Sequence, residues 1–361
     1  MPKILITFLI LFSLQNIRSQ NLTNVDRVVA AIPENVTATT VGISSFIKEH
    51  FVSDTERLRA IFVWVANNIN YDIVKFNARN NSLQPVEDIL KSRYAVCKGY
   101  SDLFIELSNQ CNLTAMPVMG YTQHKGVVAP VSHVWAAVKL DQEWYLFDPT
   151  WAAGYVLNNK FTRNFSNTYY KVPPYEMIKD HMPFDPMFQF LSHTITNREF
   201  IDGKKVTKNE KALFNFADSL KIYALLSQQD KAFNELCRIQ SIGVENDIIK
   251  ERADYLKTLL EYHSSKKSYE LSMDLYNQSV SLFNKYIGIK NGGFKEVKSD
   301  NEIKLMIDSI ASYISTAWNL LGTALPKDEQ SRTAISSAYR LLDKFQNRVN
   351  QEKEFVTGYI R

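Results

Sequence analysis

Ile303, Ile307, Ile310, Ile314, Ala317 and Leu321 recur at three- and four-residue steps without a break. Only a helix with one buried face satisfies that spacing. Shorter stripes of the same period surround it: Leu213, Phe216, Leu220 and Tyr223; Ile249, Ala253, Leu256 and Leu260; Leu275, Val280, Phe283 and Ile287. A last helix is expected from Pro326, carrying Ile335, Ala338, Leu342, Phe345 and Val349, and Asn291-Gly292-Gly293 reads as a turn between two of these helices. Thr207-Lys208-Asn209-Glu210 has the form of a capping box. No repeat near 34 residues emerges. Residues 204–361 therefore read as an α-helical bundle domain, joined to what precedes it through Asp202-Gly203-Lys204-Lys205.

Before Gly203 the period is mixed. Ser53-Asp54-Thr55-Glu56 is a second capping box, and Leu58, Ile61, Phe62, Val65 and Ile69 predict a helix over 54–69. Tyr100, Leu103, Phe104, Leu107 and Cys111 predict another from Cys97 to Cys111. Strands follow at Met116–Tyr121, Val131–Leu140 and Glu143–Asp148, with Val134, Ala136, Val138 and Leu140 on one face. The last two form a hairpin that turns either at Asp141-Gln142 or at Leu140-Asp141. Pro173-Pro174 opens a short helix, while Pro183 and Pro186 enforce extended chain. Residues 21–203 thus read as an α+β domain.

The 361-residue length fits two domains, and 45% hydrophobic with 22% charged residues excludes a disordered chain. A net charge of +4 with no basic tract excludes nucleic acid as a partner. Met1-Pro2-Lys3, the apolar run Ile4–Leu14 and polar Asn16–Gln20 read as a signal peptide over residues 1–20. The protein is accordingly expected to be exported, periplasmic or secreted. No cysteine sits near the cleavage zone, and no later run is apolar enough for a stable membrane span. Three cysteines (Cys97, Cys111 and Cys237) are too few and too odd for a disulfide scaffold, so at least one thiol is free.

Cys97 opens the second helix. A thiol there faces unpaired backbone N–H groups and the positive end of the dipole, with Lys98 adding charge beside it. His133 and Asp148 lie on opposite arms of the hairpin. With the turn at Asp141-Gln142, Asp148 is diagonal to His133; with the other turn it is directly opposite. Both registers put the pair on one face. A carboxylate there fixes the imidazole tautomer and leaves the second ring nitrogen to take a proton from a thiol. The sequence holds no His-Glu-x-x-His and no close Cys/His cluster, no glycine-rich phosphate loop and no Gly-x-Ser-x-Gly elbow. No metal and no cofactor is expected.

The stretch Val96-Cys97-Lys98-Gly99-Tyr100, then Ser132-His133-Val134-Trp135, then Trp144-Tyr145-Leu146-Phe147-Asp148-Pro149-Thr150-Trp151 resembles the transglutaminase-like superfamily, a papain-like core. Ile61-Phe62-Val63-Trp64-Val65 with Asn68-Ile69-Asn70-Tyr71-Asp72 resembles the preceding helix of its bacterial secreted members. The likeness covers 55–155 and weakens toward 200 through Asp180-His181-Met182-Pro183-Phe184-Asp185-Pro186; Ala136 stands where many relatives carry asparagine. It implies acyl transfer at an amide of a protein or peptide substrate. Cys97 would be the nucleophile, His133 the base and Asp148 the orienting residue, hydrolysis being favoured over crosslinking. The Cys97 backbone N–H is one candidate oxyanion donor, and Tyr94, Trp64 and Trp135 are candidates for a second donor or for the cleft. The helical domain would serve a protein partner. The alternative reading is an inactive transglutaminase-like module that binds protein.

Overall fold

A computed structural model describes residues 23–79, 82–203, 214–295 and 299–360. The expected signal peptide, Lys204-Lys205 of the linker, the Thr207–Glu210 capping box and Leu213 lie outside the described residues.

Helix α1 (Thr40–His50) is capped by Thr39, and α2 (Asp54–Asn68) begins with the expected reciprocal box between Ser53 and Glu56. Strand β1 (Asn70–Tyr71), short helices α3 (Ile73–Asn77) and α4 (Val86–Ser92), strand β2 (Tyr94–Ala95) and helix α5 (Cys97–Gln110) follow. β1 and β2 pair in parallel, Tyr71 against Ala95. The main sheet is antiparallel. β3 (Thr114–His124), β4 (Val127–Leu140) and β5 (Glu143–Phe147) are followed by helix α6 (Pro149–Ala153), hairpin strands β6 (Gly154–Leu157) and β7 (Lys160–Arg163), helix α7 (Pro174–Met177) and strand β8 (His181–Pro183). The order across the sheet is β5-β4-β3-β8.

The β4–β5 hairpin turns at Asp141-Gln142, both in the left-handed region at φ 51° and 69°, so that Leu140 pairs with Glu143. Two consecutive positive φ values match the right-handed twist of the flanking strands. This is the first of the two registers the sequence allows. The sheet is buried on both faces. Ala136, Val138 and Leu140 enter a core with Phe62 and Val65 of α2 and Leu103 and Phe104 of α5. Trp135 and Ala137, on the other face, pack with Val118, Leu146, Met177 and Phe190. Pro186 does not extend the chain as expected: it opens a single 3₁₀ turn, Pro186–Gln189, and only Asp185 before it is extended.

Beyond α8 (Asn197–Ile201) come α9 (Phe216–Leu225), α10 (Gln228–Ile242), α11 (Asp247–Asn291), α12 (Asp300–Leu321) and α13 (Glu329–Tyr359). The stripes at 249–260 and 275–287 belong to one 45-residue helix, α11. α13 starts at Glu329 behind an Asp328 cap rather than at Pro326, because the aspartate satisfies the first-turn N–H groups.

The sequence puts a boundary at Gly203, whereas the compact units divide later. One unit runs to Leu226 and takes in Asn234–Ala253; the other holds Ser227–Phe233 and Asp254 onward. The reason lies in side chains after 203 that complete the first unit. Phe216 and Tyr223 pack edge-on against Phe190 and Phe188. Arg238 grips the Asp185 carboxylate with two hydrogen bonds, both 2.7 Å. Asp185 is buried, and removing the partner of a buried charge is costly. Arg238→Ala is therefore expected to lower unfolding free energy by about 3 kcal/mol, read as a shift in urea midpoint. A midpoint unchanged from wild type would mean that Asp185 is served otherwise.

In the second unit, Ile303, Ile307, Ile310, Ile314, Ala317 and Leu321 face Leu342, Phe345 and Val349 in one core. α11 presents something the apolar reading discards. Ser265, Ser272 and Ser279 are buried at seven-residue steps, donating to the carbonyls of Leu325, Ala317 and Ile310.

Candidate active site

Cys97 is the first residue of α5. Val96, at the cap position, offers no side-chain acceptor to the first-turn N–H groups. Those donors and the positive helix end are left to the thiol. All three cysteines are free: Cys97 is partly exposed, Cys111 buried and Cys237 exposed. Burial pushes the Cys111 thiol up. The Lys98 ammonium is held by Asp102 one turn along the helix.

His133 comes from β4, opposite Gly120 of β3. Asp148 directly follows β5 and caps α6, its Oδ1 accepting from the Thr150 and Trp151 N–H groups at 2.9 and 3.1 Å. Its Oδ2 accepts from His133 Nε2 at 2.6 Å. The Cys97 thiol lies beside the same imidazole and favours its charged form; with Nε2 engaged by Asp148, Nδ1 is the nitrogen left to it. The structure thus brings Cys97, His133 and Asp148 together, although Cys97 lies far from both in sequence. Burial alone would push the His133 ring down; the Asp148 charge and hydrogen bond, with Cys97 adding to them, hold it up to about 10. Burial would raise Asp148, but His133 and then His181 hold its carboxyl well below the usual range.

The remaining candidates sit differently. Trp64 is a core residue, 1% exposed, with the Arg93 guanidinium 5.1 Å over its ring. It lines no cleft, because the face of α2 that carries it packs inward. Tyr94 is half exposed on β2. Trp135 is fully buried and stacks on His133 at 6.1 Å, and its indole N–H is enclosed without a protein acceptor. It is a wall behind the imidazole.

Two groups were missed by sequence reasoning. The Tyr71 phenol is raised by burial and by the charges of Cys97 and Asp148. His181, from β8, puts Nε2 3.2 Å from Asp148 Oδ2 and Nδ1 2.5 Å from Asp180 Oδ1. Tyr169 donates to the other Asp180 oxygen at 2.8 Å. The sequence carries His181 in the run Asp180-His181-Met182-Pro183, which has no local pattern that ties it to Asp148.

His133, Asp148 and His181 form a group with metal-type ligand atoms within 4.8 Å of one another. Ligands around a tetrahedral zinc lie about 3.3 Å apart, from bonds of about 2.0 Å. The 2.6 Å His133–Asp148 separation is a hydrogen bond, and a metal would have to open it. The residues do not fit a metal as they stand.

The sequence profile of the transglutaminase-like superfamily matches residues 47–149. The chain carries a domain of that superfamily, with its antiparallel sheet and helix-borne cysteine. Human kyphoscoliosis peptidase is 32% identical over 156 residues, 41% of this chain and 24% of that protein. Hillarin of Drosophila melanogaster is 22% identical over 196 residues, 49% of this chain and 24% of that protein. This chain spans about a quarter of the length of these curated relatives, which are animal proteins. A solved TGase crystal structure matches over 38% of this chain and 36% of that one at TM-score 0.27 and 23% identity, too slight a likeness to bear an argument. Among the described residues no helix is long and apolar enough to cross a membrane.

Proposed function

We propose that this chain is a cysteine-dependent acyl-transfer enzyme acting on amide bonds of a protein or peptide, hydrolysis being its main outcome. The observation that carries the reading is His133 held between Asp148 and Cys97 at the head of a helix. His133 Nδ1 takes the thiol proton and Sγ attacks the carbonyl carbon. The negative oxygen that forms is met by the Cys97 backbone N–H. As the C–N bond breaks, His133 returns the proton to the leaving amine, leaving a thioester. Water, deprotonated by the same ring, releases the acid. The name of kyphoscoliosis peptidase supports a peptidase reading. Export past a cleaved leader belongs to the same proposal and rests on the apolar run of residues 4–14.

Incubation with glutamine-bearing protein, a peptide library and a labelled primary amine tests it. Peptide cleavage or glutamine deamidation that vanishes in Cys97→Ser is the expected result. Stable amine incorporation dependent on Cys97 would make crosslinking the main outcome. No turnover of either kind, with a thiol no more reactive than Cys237, would refute catalysis.

A further inference from the structure

One oxygen of Asp148 serves two histidines. Oδ1 is consumed by the α6 cap, so Oδ2 alone faces His133 Nε2 at 2.6 Å and His181 Nε2 at 3.2 Å. His181 is fixed in that role from both sides. Its strand is paired to β3 with His181 against Thr122, its Nδ1 is anchored on Asp180, and Asp180 is anchored on Tyr169. The ring is 1% exposed and packed edge-on by Trp135 at 5.1 Å and Trp151 at 4.6 Å. Carboxylates only accept, so Nε2 and Nδ1 must both be donors for these two contacts to exist.

We propose that His181 is a positioning residue that shares Asp148 with His133 and thereby weakens the hold of the carboxylate on the His133 proton. The inference rests on the triad reading above. A carboxylate that spends part of its charge on a second donor stabilises the first imidazolium less. The consequence is chemical: the ring must surrender its proton to the leaving amine, and too strong a hold slows that step. Around the His133 ring stand Cys97, Asp148 and His181, and behind them Asp180, Tyr71 and Tyr169. A structural prop would act oppositely, since its loss would let Asp148 drift from His133 and lower the ring's proton affinity.

The test is a pH titration of the full chain labelled with ¹⁵N-histidine, whose six histidines are resolved by long-range ¹H–¹⁵N spectra and assigned by loss of the His133 signal in His133→Asn. His181→Phe fills the ring's space without a donor, and the His133 transition is expected to rise by about one pH unit. In His181→Gln the amide can replace the Nε2 donor but not the whole ring, and the transition is expected to fall between wild type and His181→Phe. Peptide turnover should fall in kcat with KM little changed for Phe and recover in part for Gln. A transition that stays put or falls in folded His181→Phe overturns the proposal. If that variant does not fold, Asp180→Asn, which alters the anchor of Nδ1 from a partly exposed position, must give the same upward direction or the proposal fails. A Cys97→Ser arm separates the two readings: a His133 transition indifferent to Cys97 sinks the triad itself, whatever His181 does.

Discussion

Asp148→Asn is expected to fold and to lose turnover on the order of 10³–10⁴-fold. Asparagine keeps the oxygen that accepts from the Thr150 and Trp151 N–H groups, so the cap of α6 survives. The atom then turned toward His133 is a donor, so Nε2 must accept and the proton moves to Nδ1. A protonated Nδ1 cannot take the thiol proton. The pH dependence of stability carries the same signature. The His133 folded-state pKa is raised to about 10 from 6.5. Its contribution to stability is therefore fully present below pH 6.5 and is lost as pH rises through 10. The Asp148 carboxyl is depressed, so its contribution is present above 3.8 and lost as pH falls toward the folded value. The stability gap between wild type and Asp148→Asn should be widest between pH 3.8 and 6.5 and narrow on either side. Urea midpoints across pH 3–10 read it. A gap independent of pH, or turnover within tenfold of wild type, would remove Asp148 from the triad.

Gly120→Val should be strongly damaging although Gly120 lies outside the triad. A Cβ at Gly120 would stand 2.1 Å from the Met182 carbonyl oxygen and 2.7 Å from the Trp135 ring. The first contact is backbone and cannot rotate away. Accommodation requires β8 to part from β3, which carries His181 off Asp148 and shifts Trp135 from behind His133. The expected cost is about 3 kcal/mol or more, with turnover falling further than the loss of folded protein explains. Thermal melts and active-site titration of the soluble fraction measure both. A variant that melts with wild type would show that β8 can move freely, and the clamp on His181 would lose its basis.

Much of this site could be read in advance because its signals are local. Cys97 begins an amphipathic stripe, and His133 and Asp148 straddle a short turn, so parity alone puts them on one face whichever register forms. His181 could not be found that way. It meets Asp148 through β8 pairing with β3, a contact between segments about sixty residues apart that no period records. Trp64 was misplaced for a related reason: its aromatic character fits a cleft and a core equally, and only the rotation of α2 decides. The boundary at Gly203 was drawn where the period changes. The first unit is closed by Phe216, Tyr223 and Arg238, whose partners Phe190, Phe188 and Asp185 lie before that change. The stripe from Ile303 to Leu321 and the one from Ile335 to Val349 that it faces are both periodic; the serines of α11 escape such a reading because serine counts as polar in any apolar tally.

That row of serines keys the second unit lengthwise. An apolar ridge slides by a turn at modest cost, since one isoleucine resembles the next. A hydroxyl that must reach one carbonyl has no such latitude, and Ser265, Ser272 and Ser279 reach Leu325, Ala317 and Ile310 as the two segments run in opposite senses. Slippage in either direction would strand all three donors in a dry seam. The helices work like a notched rule read against its scale. Exchanging one greasy side chain for another leaves the reading unchanged, whereas adding or deleting a residue between Ser265 and Ser279 shifts every notch beyond it.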